Sequence, residues 1–342
     1  MRYKLLGKSG LRVSEMCLGT MTFGEEWGWG ASKEVSKKIF EAYARKGGNF
    51  IDTANRYTEG TSEKFVGEFI KADREHFVLA TKYTLFNKKD DPNQAGNHRK
   101  NMMQSVEASL KRLNTDYIDV LYLHAWDSLT PVEEVMRGLD DLVRQGKVFY
   151  VAVSDTPAWV IAQANTMASL HGWSQFIGLQ VEYSLLQRTP ERDLLPMAKA
   201  FDIGITAWAP IAGGALTGKY LKDKDTKGRV TAESERRNEK NTRITEAVVA
   251  VAEEIGKSAA QVAIRWTMQR NQVVIPIVGA RTLKQIEDNF GAIDFELSEQ
   301  HMQKLDEISK IELGFPHNFL NQEYIKTLYS GGTFDQIDNH RA

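Results

Sequence analysis

The stretch GGNFIDTANRYTEGTSEKFVGEF, residues 47–69, decides the fold because it carries one complete strand–loop–helix unit. Residues 49–51 predict the start of a buried strand, and residues 61–69 predict a helix. Between the two elements lie a carboxylate, Asp52, and a phenol, Tyr57. A loop that only turned the chain would need neither group, so the pair indicates a functional role for the end of this strand.

Short β-rich runs alternate with helical patterns along the chain, giving eight units. Strands that alternate with helices pair in parallel. Without a linker or a break in composition, the pattern predicts an α/β protein, a (β/α)8 TIM barrel formed by one domain over residues 1–342. The predicted strands are residues 15–19, 50–52, 77–82, 118–124, 148–154, 176–181, 203–208 and 273–277. The predicted helices are residues 33–45, 63–72, 98–113, 132–144, 158–170, 192–200, 245–269 (as two helices) and 283–290.

Two segments lie outside the repeat. Residues 3–6 and 11–13 flank the turn sequence Gly-Lys-Ser-Gly, and they predict an N-terminal β-hairpin before the first barrel strand. A further helix is predicted at residues 298–309. The tail that follows it is polar, aromatic and weakly periodic, so we expect irregular structure lying over the barrel.

Composition limits the classes of function. The net charge of -1 indicates neither a nucleic-acid-binding surface nor an acidic tail. No run of about 18 apolar residues predicts a membrane span, and the N-terminus lacks the apolar region of a signal peptide. The single cysteine, Cys17, excludes an internal disulfide and a cysteine-cluster zinc site. We expect a cytoplasmic protein with a small-molecule substrate, and its oligomeric state stays open.

Polar side chains stand at the C-terminal ends of the predicted strands, where a barrel of this type has its active site. A strand that is buried on both faces should be almost entirely apolar. An unpaired buried polar group costs roughly 1–3 kcal/mol, so these groups need partners or a ligand, and we expect one common pocket. The residues at or just after the strand ends are Gly19, Thr20, Asp52, Lys82, His124, Ser154, Gln180, Trp208, Gly279, Ala280 and Arg281.

Four of the side chains near the strand ends suit proton transfer to a carbonyl group. A phenol has a pKa of about 10, too high for an efficient acid at neutral pH, and a nearby ammonium group lowers it. We therefore expect Lys82 to lower the pKa of Tyr57 and Asp52 to keep Lys82 charged. His124 can orient the carbonyl oxygen, so the set can protonate that oxygen while hydride reaches its carbon.

Each of these residues also has a structural interpretation. Asp52 alone fits a helix cap or a salt-bridge partner, His124 alone fits a buried core histidine, and Lys82 alone fits a side chain that extends to solvent. Their occurrence at successive strand ends, together with Tyr57, favours the functional interpretation.

The stretch GGALTGKY, residues 213–220, nearly matches a phosphate-binding loop. Tyr220 stands where that motif needs Ser or Thr to bind magnesium, so the motif fails at its metal ligand. We interpret the stretch as a loop whose backbone donors bind a pyrophosphate without a metal. No group of histidines has metal-ligand spacing, so no metal site is predicted.

The order of these motifs resembles the aldo-keto reductases, over roughly residues 4–313. The details are most similar to the aryl-alcohol dehydrogenase-like branch, which is related to potassium-channel β-subunits. The resemblance implies an oxidoreductase that reversibly reduces an aldehyde or ketone, aryl or otherwise hydrophobic, with NADP(H) or alternatively NAD(H). The motifs are LGTMTFG, FIDTANRYTEGTSEKFVGEF, LATKY, DYIDVLYLHAWD, VAVSD, LQVEYSLLQR, ITAWAPIAGGALTGKY and PIVGARTLKQIEDNFGA.

The resemblance also implies roles for single residues. Tyr57 would be the general acid, Asp52 and Lys82 would tune it, and His124 would help to hold the substrate oxygen. The substrate pocket would have a wall that is mainly aromatic, although ordinary loop packing is the alternative for its tryptophans. The residues expected in this pocket are Trp27, Trp29, Tyr57, Tyr83, His124 and Trp126.

The cofactor would lie across several strand ends. Ser154, Asp155 and Gln180 would hold the nicotinamide carboxamide, Trp208 would stack on the ring, and residues 209–219 would bind the pyrophosphate. The remaining residues expected at the cofactor, including the 2′-phosphate, are Gly19, Thr20, Met21, Asp52, Ala209, Pro210, Ile211, Gly213, Leu216, Gly218, Lys219, Arg229, Gly279, Arg281, Gln285, Asp288 and Asn289.

Two features depart from the family pattern. Asp155 stands where Asn or Arg is common, and Gly279 and Gln285 stand where the larger branch of the family has Lys and Arg. The second departure bears on how strongly the site selects the 2′-phosphate.

Two other functions fit parts of the pattern. A cofactor-sensing binding protein, like the channel β-subunits, would keep the fold and the four residues. We favour the enzyme because no partner-binding segment precedes the barrel. A barrel aldolase would use Lys82 as a Schiff base, but such lysines are usually activated by desolvation or a second cation. Asp52 is expected to keep Lys82 protonated instead.

Overall fold

The computed structural model describes residues 1–222, 230–231, 233–270 and 274–339. Eight parallel strands form a closed barrel, and a separate two-stranded antiparallel sheet precedes it, which confirms the predicted TIM barrel and hairpin. The hairpin strands are β1 (Tyr3–Leu5) and β2 (Arg12–Ser14). The barrel strands are β3 (Cys17–Gly19), β4 (Phe50–Asp52), β5 (Val78–Tyr83), β6 (Ile118–Leu123), β7 (Val148–Ser154), β8 (Phe176–Glu182), β9 (Gly204–Trp208) and β10 (Val274–Val278).

Each barrel strand pairs with the next along the chain, and β10 closes the barrel against β3. Residue 273, the first of the last predicted strand, lies outside the described residues. The helices are α1 (Lys33–Arg45), α2 (Thr61–Ile70), α3 (Arg99–Leu113), α4 (Val132–Arg144), α5 (Ala158–His171), α6 (Leu194–Ala200), α7 (Lys219–Lys222), α8 (Glu239–Glu254), α9 (Ala259–Gln269), α10 (Leu283–Phe290), α11 (Glu299–Ser309), α12 (His317–Leu320) and α13 (Glu323–Ser330).

The predicted helical stretch 245–269 forms two helices, α8 and α9, for identifiable local reasons. Gly256 has a positive φ of 64°, which a helix interior does not allow. Ser258 then begins α9 with a capping box, in which it pairs reciprocally with Gln261. Helix α8 starts earlier than predicted, because the Asn238 side chain accepts a hydrogen bond from the backbone N–H of Asn241.

The hairpin lies against the N-terminal end of the barrel. Leu6 is fully buried among the side chains that fill the barrel interior. Gly7 approaches the ends of β8 and β9 so closely that a Cβ there would lie 2.2 Å from the Ile177 carbonyl oxygen. The backbone N–H of Lys8 donates to the Asp202 carbonyl over 2.6 Å. The open end of the barrel is therefore the opposite one, where the strands have their C-termini.

Helix α2, which follows the strand that ends at Asp52, packs closely on α3. A Cβ at Gly67 would lie 2.2 Å from the carbonyl oxygen of Leu113. Both partners are backbone, so a side chain here would force the two helices apart. This contact fixes the position of the segment that carries Tyr57.

We expect Gly67→Ala to destabilise the protein by about 1–3 kcal/mol, since overpacking outweighs the gain of about 1 kcal/mol in helix propensity. Gly138→Ala in α4 is the matched control, because the atoms nearest to its Cβ would be Sδ and Cε at the flexible end of Met102, at 3.0 and 3.1 Å, and no backbone atom. Urea unfolding of both variants measures the difference. A Gly67→Ala protein as stable as Gly138→Ala would contradict the close helix contact.

The C-terminal tail differs from the irregular structure expected for it, because it contains the short helices α12 and α13. Of the residues in α13, Ile325 is buried whereas Tyr324, Leu328 and Tyr329 are exposed. An 8-residue helix with one buried position gives too weak a pattern to be predicted from sequence. Within the described ranges, none of the helices is long and apolar enough to span a membrane.

Candidate active site

A cavity of about 600 Å³ opens at the C-terminal ends of the barrel strands. It contains most of the residues predicted for the catalytic, cofactor and substrate sites. The predicted residues in its wall are Gly19, Met21, Trp27, Trp29, Asp52, Tyr57, His124, Ser154, Asp155, Gln180, Trp208, Ala209, Pro210, Ile211, Gly213, Lys219, Gly279, Arg281, Gln285, Asp288 and Asn289. Gly214 and Thr217, which also line the cavity, belong to the loop 209–219 that was predicted for the pyrophosphate. The sequence interpretation missed Thr22, Arg56, Leu85, Ala260, Ile264, Ile277 and Val278.

Lys82, a predicted catalytic residue, does not line the cavity itself but lies behind Asp52 and Tyr57, which do. It binds three groups from the adjacent strand β4 and its loop. Its Nζ lies 2.7 Å from each carboxylate oxygen of Asp52 and 2.9 Å from the Thr53 carbonyl oxygen. It also lies 3.2 Å from the Tyr57 hydroxyl. Lys82 has 0% exposure, so its charge is compensated wholly by protein groups.

Asp52 receives a further hydrogen bond from across the barrel. The side-chain amide of Gln180, on β8, donates to Asp52 Oδ1 over 2.9 Å. A buried carboxylate with a cation and an amide donor has most of its hydrogen-bonding capacity used. Gln180, which was expected at the carboxamide, thus also holds Asp52 in place.

Lys82 is held in its charged form. Burial lowers the pKa of Lys82, but the Asp52 carboxylate and Tyr57 outweigh burial, so that this pKa is above its ordinary value. A protonated amine is not a nucleophile, and Schiff-base chemistry at Lys82 is therefore disfavoured.

The pKa of Tyr57 moves in the direction opposite to the one expected. Burial raises the pKa of the phenol above its ordinary value, and the attraction of nearby Lys82 only partly opposes this rise. The sequence indicates the cation but not the desolvation, which depends on how the walls of the cavity pack. The phenol consequently stays protonated at neutral pH and is present as a proton donor.

His124 follows β6 and presents its ring to Tyr57. The two ring centroids are 5.9 Å apart at an interplanar angle of 82°. Burial, together with the charge of Lys82, holds the pKa of His124 well below its usual range. The imidazole is therefore neutral at neutral pH, and its buried Nδ1 has no hydrogen-bond partner among the residues that the structure describes. A neutral imidazole can donate a hydrogen bond but cannot serve as an imidazolium acid.

The loop after Tyr57 has a strained backbone. Thr58 and Glu59 have positive φ angles of 46° and 55°, which are uncommon outside glycine. The Thr58 hydroxyl donates to the Phe23 carbonyl over 2.6 Å and accepts from the Ser62 N–H at 3.1 Å. These bonds hold the turn, and strain of this kind clusters at functional sites.

Two tryptophans form an aromatic wall beside the phenol. The Trp27 ring lies 5.6 Å from that of Trp29 and 6.5 Å from that of Tyr57. Arg56 and Leu85 complete this side of the cavity. Arg56 directly precedes Tyr57 in the sequence, but whether its side chain faces the cavity depends on a loop conformation that the sequence does not reveal.

Tyr83 and Trp126, predicted for the same pocket, do not line the cavity. Tyr83 has 1% exposure in the core, and its hydroxyl lies 3.3 Å from the Asn97 carbonyl oxygen. Because side chains alternate along a strand, the inward position of Lys82 turns Tyr83 outward toward the helices. Trp126 is partly buried and packs against the hydrophobic core.

Three residues predicted at the cofactor are also absent from the cavity wall. The Thr20 hydroxyl donates to the Asp52 carbonyl over 2.9 Å, so it holds the β4 end instead. Leu216 is fully buried in the core. Gly218 has a positive φ of 78° and supplies a turn before α7. Arg229 lies outside the described residues.

The loop from β9 to α7 runs along the cavity in an unusual backbone conformation. Ala209, Ala212, Gly213 and Gly214 have positive φ angles of 52°, 50°, 67° and 94°. Alternation of right- and left-handed residues turns backbone N–H groups into a concave surface that suits anions. Lys219, which begins α7, also lines the cavity. The N–H groups of Ala212, Gly214 and Leu216 donate to carbonyls within the loop, so its other N–H groups and Lys219 are the candidate donors to a phosphate group.

Helix α10 contributes Gln285, Asp288 and Asn289 to the cavity wall. The Gln285 side chain accepts a hydrogen bond from the Arg281 backbone N–H at 2.8 Å. Asp288 accepts from the Ser258 hydroxyl at 2.8 Å and from the Gln261 amide at 3.0 Å, which holds α10 against α9. Asp288 thus has a structural contact besides its place in the cavity wall.

The profile of the Aldo/keto reductase family matches residues 15–310, which contain the whole barrel. The chain belongs to the aldo/keto reductase family. It is 40% identical over 329 residues to the aryl-alcohol dehydrogenase [NADP(+)] of Phanerodontia chrysosporium, covering 90% of this chain and 86% of that protein. It is 37% identical over 326 residues to the norsolorinic acid reductase of Aspergillus flavus, covering 92% of this chain and 83% of that protein.

The family membership confirms the resemblance found in the sequence motifs, including the aryl-alcohol dehydrogenase-like branch. Aldo/keto reductases act on small-molecule carbonyl compounds, and the names of both relatives are those of oxidoreductases. Carbonyl reduction is therefore the activity supported for this aldo/keto reductase. Among the residues described, no three His, Cys, Asp or Glu side chains are placed to share a metal ion.

Proposed function

We propose that the protein is an NADP(H)-dependent oxidoreductase that reversibly reduces an aldehyde or ketone, aryl or otherwise hydrophobic, to the alcohol. The observation that carries this proposal is the hydrogen-bonded set Asp52–Lys82–Tyr57, of which Asp52 and Tyr57 line the cavity. Trp27 and Trp29 beside the phenol suit a flat hydrophobic substrate. One relative carries NADP(+) in its name, which supports the choice of cofactor.

The residues of the cavity wall fit a nicotinamide dinucleotide. Trp208 presents an aromatic ring to the cavity, and Ser154 and Gln180 add polar groups to the same wall. The loop 209–217, with its positive-φ residues, suits the pyrophosphate. Arg281, which lines the cavity just before α10, suits the 2′-phosphate, since guanidinium groups bind phosphate with two hydrogen bonds.

Bound NADPH would supply a hydride, which is one proton and two electrons, to the carbonyl carbon. Tyr57 donates its proton to the carbonyl oxygen, so the product is a neutral alcohol and the phenol becomes a phenolate. The Lys82 ammonium, 3.2 Å away, stabilises that phenolate, and Asp52 keeps Lys82 oriented. The neutral His124 donates a hydrogen bond to the substrate oxygen and holds it toward the phenol. Oxidation of the alcohol follows the same steps in reverse.

Turnover is the direct test of this proposal. The protein is mixed with NADPH and an aromatic aldehyde, and the loss of reduced nicotinamide is followed by absorbance, with alcohol formation measured by chromatography. Stoichiometric conversion is expected. Binding of NADPH without conversion of any aldehyde or ketone in a broad panel would indicate a cofactor-sensing protein instead.

We expect Arg281→Ala to weaken NADPH binding by roughly 10–100-fold, the usual value of a charge-assisted hydrogen bond to phosphate. NADH lacks the 2′-phosphate, so its affinity should change by less than about threefold. Quenching of tryptophan fluorescence measures both dissociation constants. Arg243→Ala is the matched control, because Arg243 is an exposed arginine that pairs with Glu239 on α8. Equal losses for NADPH and NADH would show that Arg281 does not recognise the phosphate.

A further inference from the structure

Asp155 places a carboxylate in the cavity wall directly after the last residue of β7. Its backbone N–H donates to the Gln180 carbonyl, and its own carbonyl accepts from the Trp126 N–H, both over 3.3 Å. Its φ of 41° is a conformation that Asp and Asn adopt more readily than most residues. The residue is exposed because it faces the cavity. The backbone therefore holds this side chain at one position beside the strand ends.

The charge of Asp155 has no ion-pair partner within the described part of the chain. Its Oδ1 accepts a hydrogen bond from the Trp208 indole N–H over 3.1 Å. None of the ion pairs formed by the described residues includes Asp155. The nearby cation Lys82 is already bound to Asp52 at 2.7 Å, and Glu182 is paired with Arg236. Asp155 thus presents a negative charge at the edge of the Trp208 ring.

We propose that Asp155 makes the cofactor site prefer oxidised over reduced nicotinamide, and so makes bound NADPH a stronger hydride donor. This inference rests on the proposed function, in which the nicotinamide stacks on Trp208. When a hydride leaves the reduced ring with two electrons, the ring gains one positive charge, while Tyr57 gives a proton to the substrate oxygen. A carboxylate beside the ring attracts the charged form and leaves the neutral form nearly unaffected.

The expected size of the effect follows from the behaviour of neighbouring charges. An opposite charge within about 4–6 Å shifts the balance between a charged and a neutral form by roughly tenfold or more. The opening of the cavity to water favours the lower end of that range. A tenfold preference lowers the potential of the bound two-electron couple by about 30 mV. The equilibrium on the enzyme then moves toward alcohol and oxidised cofactor.

A positioning role is the competing explanation, since Asp155 also holds the Trp208 indole. Two substitutions separate the roles. Asp155→Asn removes the charge, keeps an oxygen that can accept from the indole N–H, and tolerates the positive φ. Asp155→Ala removes both the charge and the acceptor. If the charge of Asp155 matters, both variants change the relative binding of NADP+ and NADPH. If only its hydrogen bond to Trp208 matters, Asp155→Asn behaves like the wild-type protein.

The test measures dissociation constants for NADP+ and NADPH by isothermal titration calorimetry at pH 8, far above the ordinary carboxyl range, because burial raises the pKa of Asp155. In Asp155→Asn and Asp155→Ala, we expect the ratio of the NADP+ constant to the NADPH constant to rise about tenfold. Glu239→Gln, which neutralises a carboxylate on the exposed start of α8, should leave the ratio unchanged. Thermal melting checks that each variant is folded.

The outcomes separate this inference from the function on which it rests. An unchanged ratio in Asp155→Asn would overturn the inference, and a changed ratio in Asp155→Ala alone would assign Asp155 a positioning role. If the wild-type protein bound neither NADP+ nor NADPH, the proposed function itself would fail. Binding of both forms with an unaltered ratio in the variants would leave the proposed function standing.

Discussion

Tyr57→Phe is expected to lower the rate of carbonyl reduction by a factor on the order of 10²–10⁴, the usual contribution of general acid catalysis. The substitution removes one oxygen and keeps the ring that packs against Trp27 and His124. Lys82 loses one contact but retains Asp52 and the Thr53 carbonyl, so its charge stays compensated. The stability of the protein should therefore change little, and the lower rate should come from the missing proton donor.

The measurement is the turnover number for an aromatic aldehyde at saturating NADPH, together with the NADPH dissociation constant, which should stay near the wild-type value. Tyr83→Phe is a matched control, because Tyr83 is the neighbouring tyrosine and its hydroxyl contacts only the Asn97 carbonyl among the described hydrogen bonds. It should retain activity within about threefold, since it loses one ordinary hydrogen bond outside the cavity.

The raised pKa of Tyr57 adds a pH signature to the same experiment. Reduction needs the protonated phenol, so its rate should be constant through neutral pH and fall only as the pH rises through the pKa of Tyr57. Alcohol oxidation needs the phenolate and should rise over that range. If Tyr57→Phe reduces aldehydes at nearly the wild-type rate with normal NADPH binding, the proton has another source. His124 is a poor substitute, because its low pKa leaves it neutral.

The barrel could be predicted because the same sequence pattern, a strand followed by a helix, is repeated along the chain. Each strand reads as a short apolar run, and Asp52, Lys82 and His124 break three successive runs at the same end. Closure of a parallel barrel brings such positions together whatever the intervening loops do. Asp52 and Lys82 accordingly meet on neighbouring strands, with Lys82 Nζ 2.7 Å from Asp52 Oδ1.

Features that depend on packing were not predictable in the same way. The pKa of Tyr57 was expected to fall because the sequence indicates Lys82, but desolvation by the folded walls dominates. Arg56 reaches the cavity through a loop in which two of the positive-φ residues, Thr58 and Glu59, are not glycines and so give no sequence signature. Tyr83, in contrast, was assignable from strand alternation alone once Lys82 was placed inward.

Lys82→Met is expected to abolish most activity, with a loss on the order of 10²–10⁴, because the phenolate formed on Tyr57 would have no cation. It should also destabilise the protein by about 3–5 kcal/mol, since Asp52 would be left as an uncompensated buried charge. Met has a similar length and no charge, so packing contributes little to either effect. Thermal unfolding and steady-state turnover measure the two losses separately.

The double variant Lys82→Met with Asp52→Asn separates the two consequences of losing the cation. Asn carries no charge to leave unpaired, and its oxygen can still accept the Gln180 amide that now binds Asp52 at 2.9 Å. Much of the lost stability should therefore return, whereas activity should not, because the phenolate still lacks its cation. A double variant that regained activity along with stability would show that Lys82 supports the fold of the site and takes no part in proton transfer. One that stayed as unstable as Lys82→Met would show that the unpaired carboxylate is not the cause of the instability.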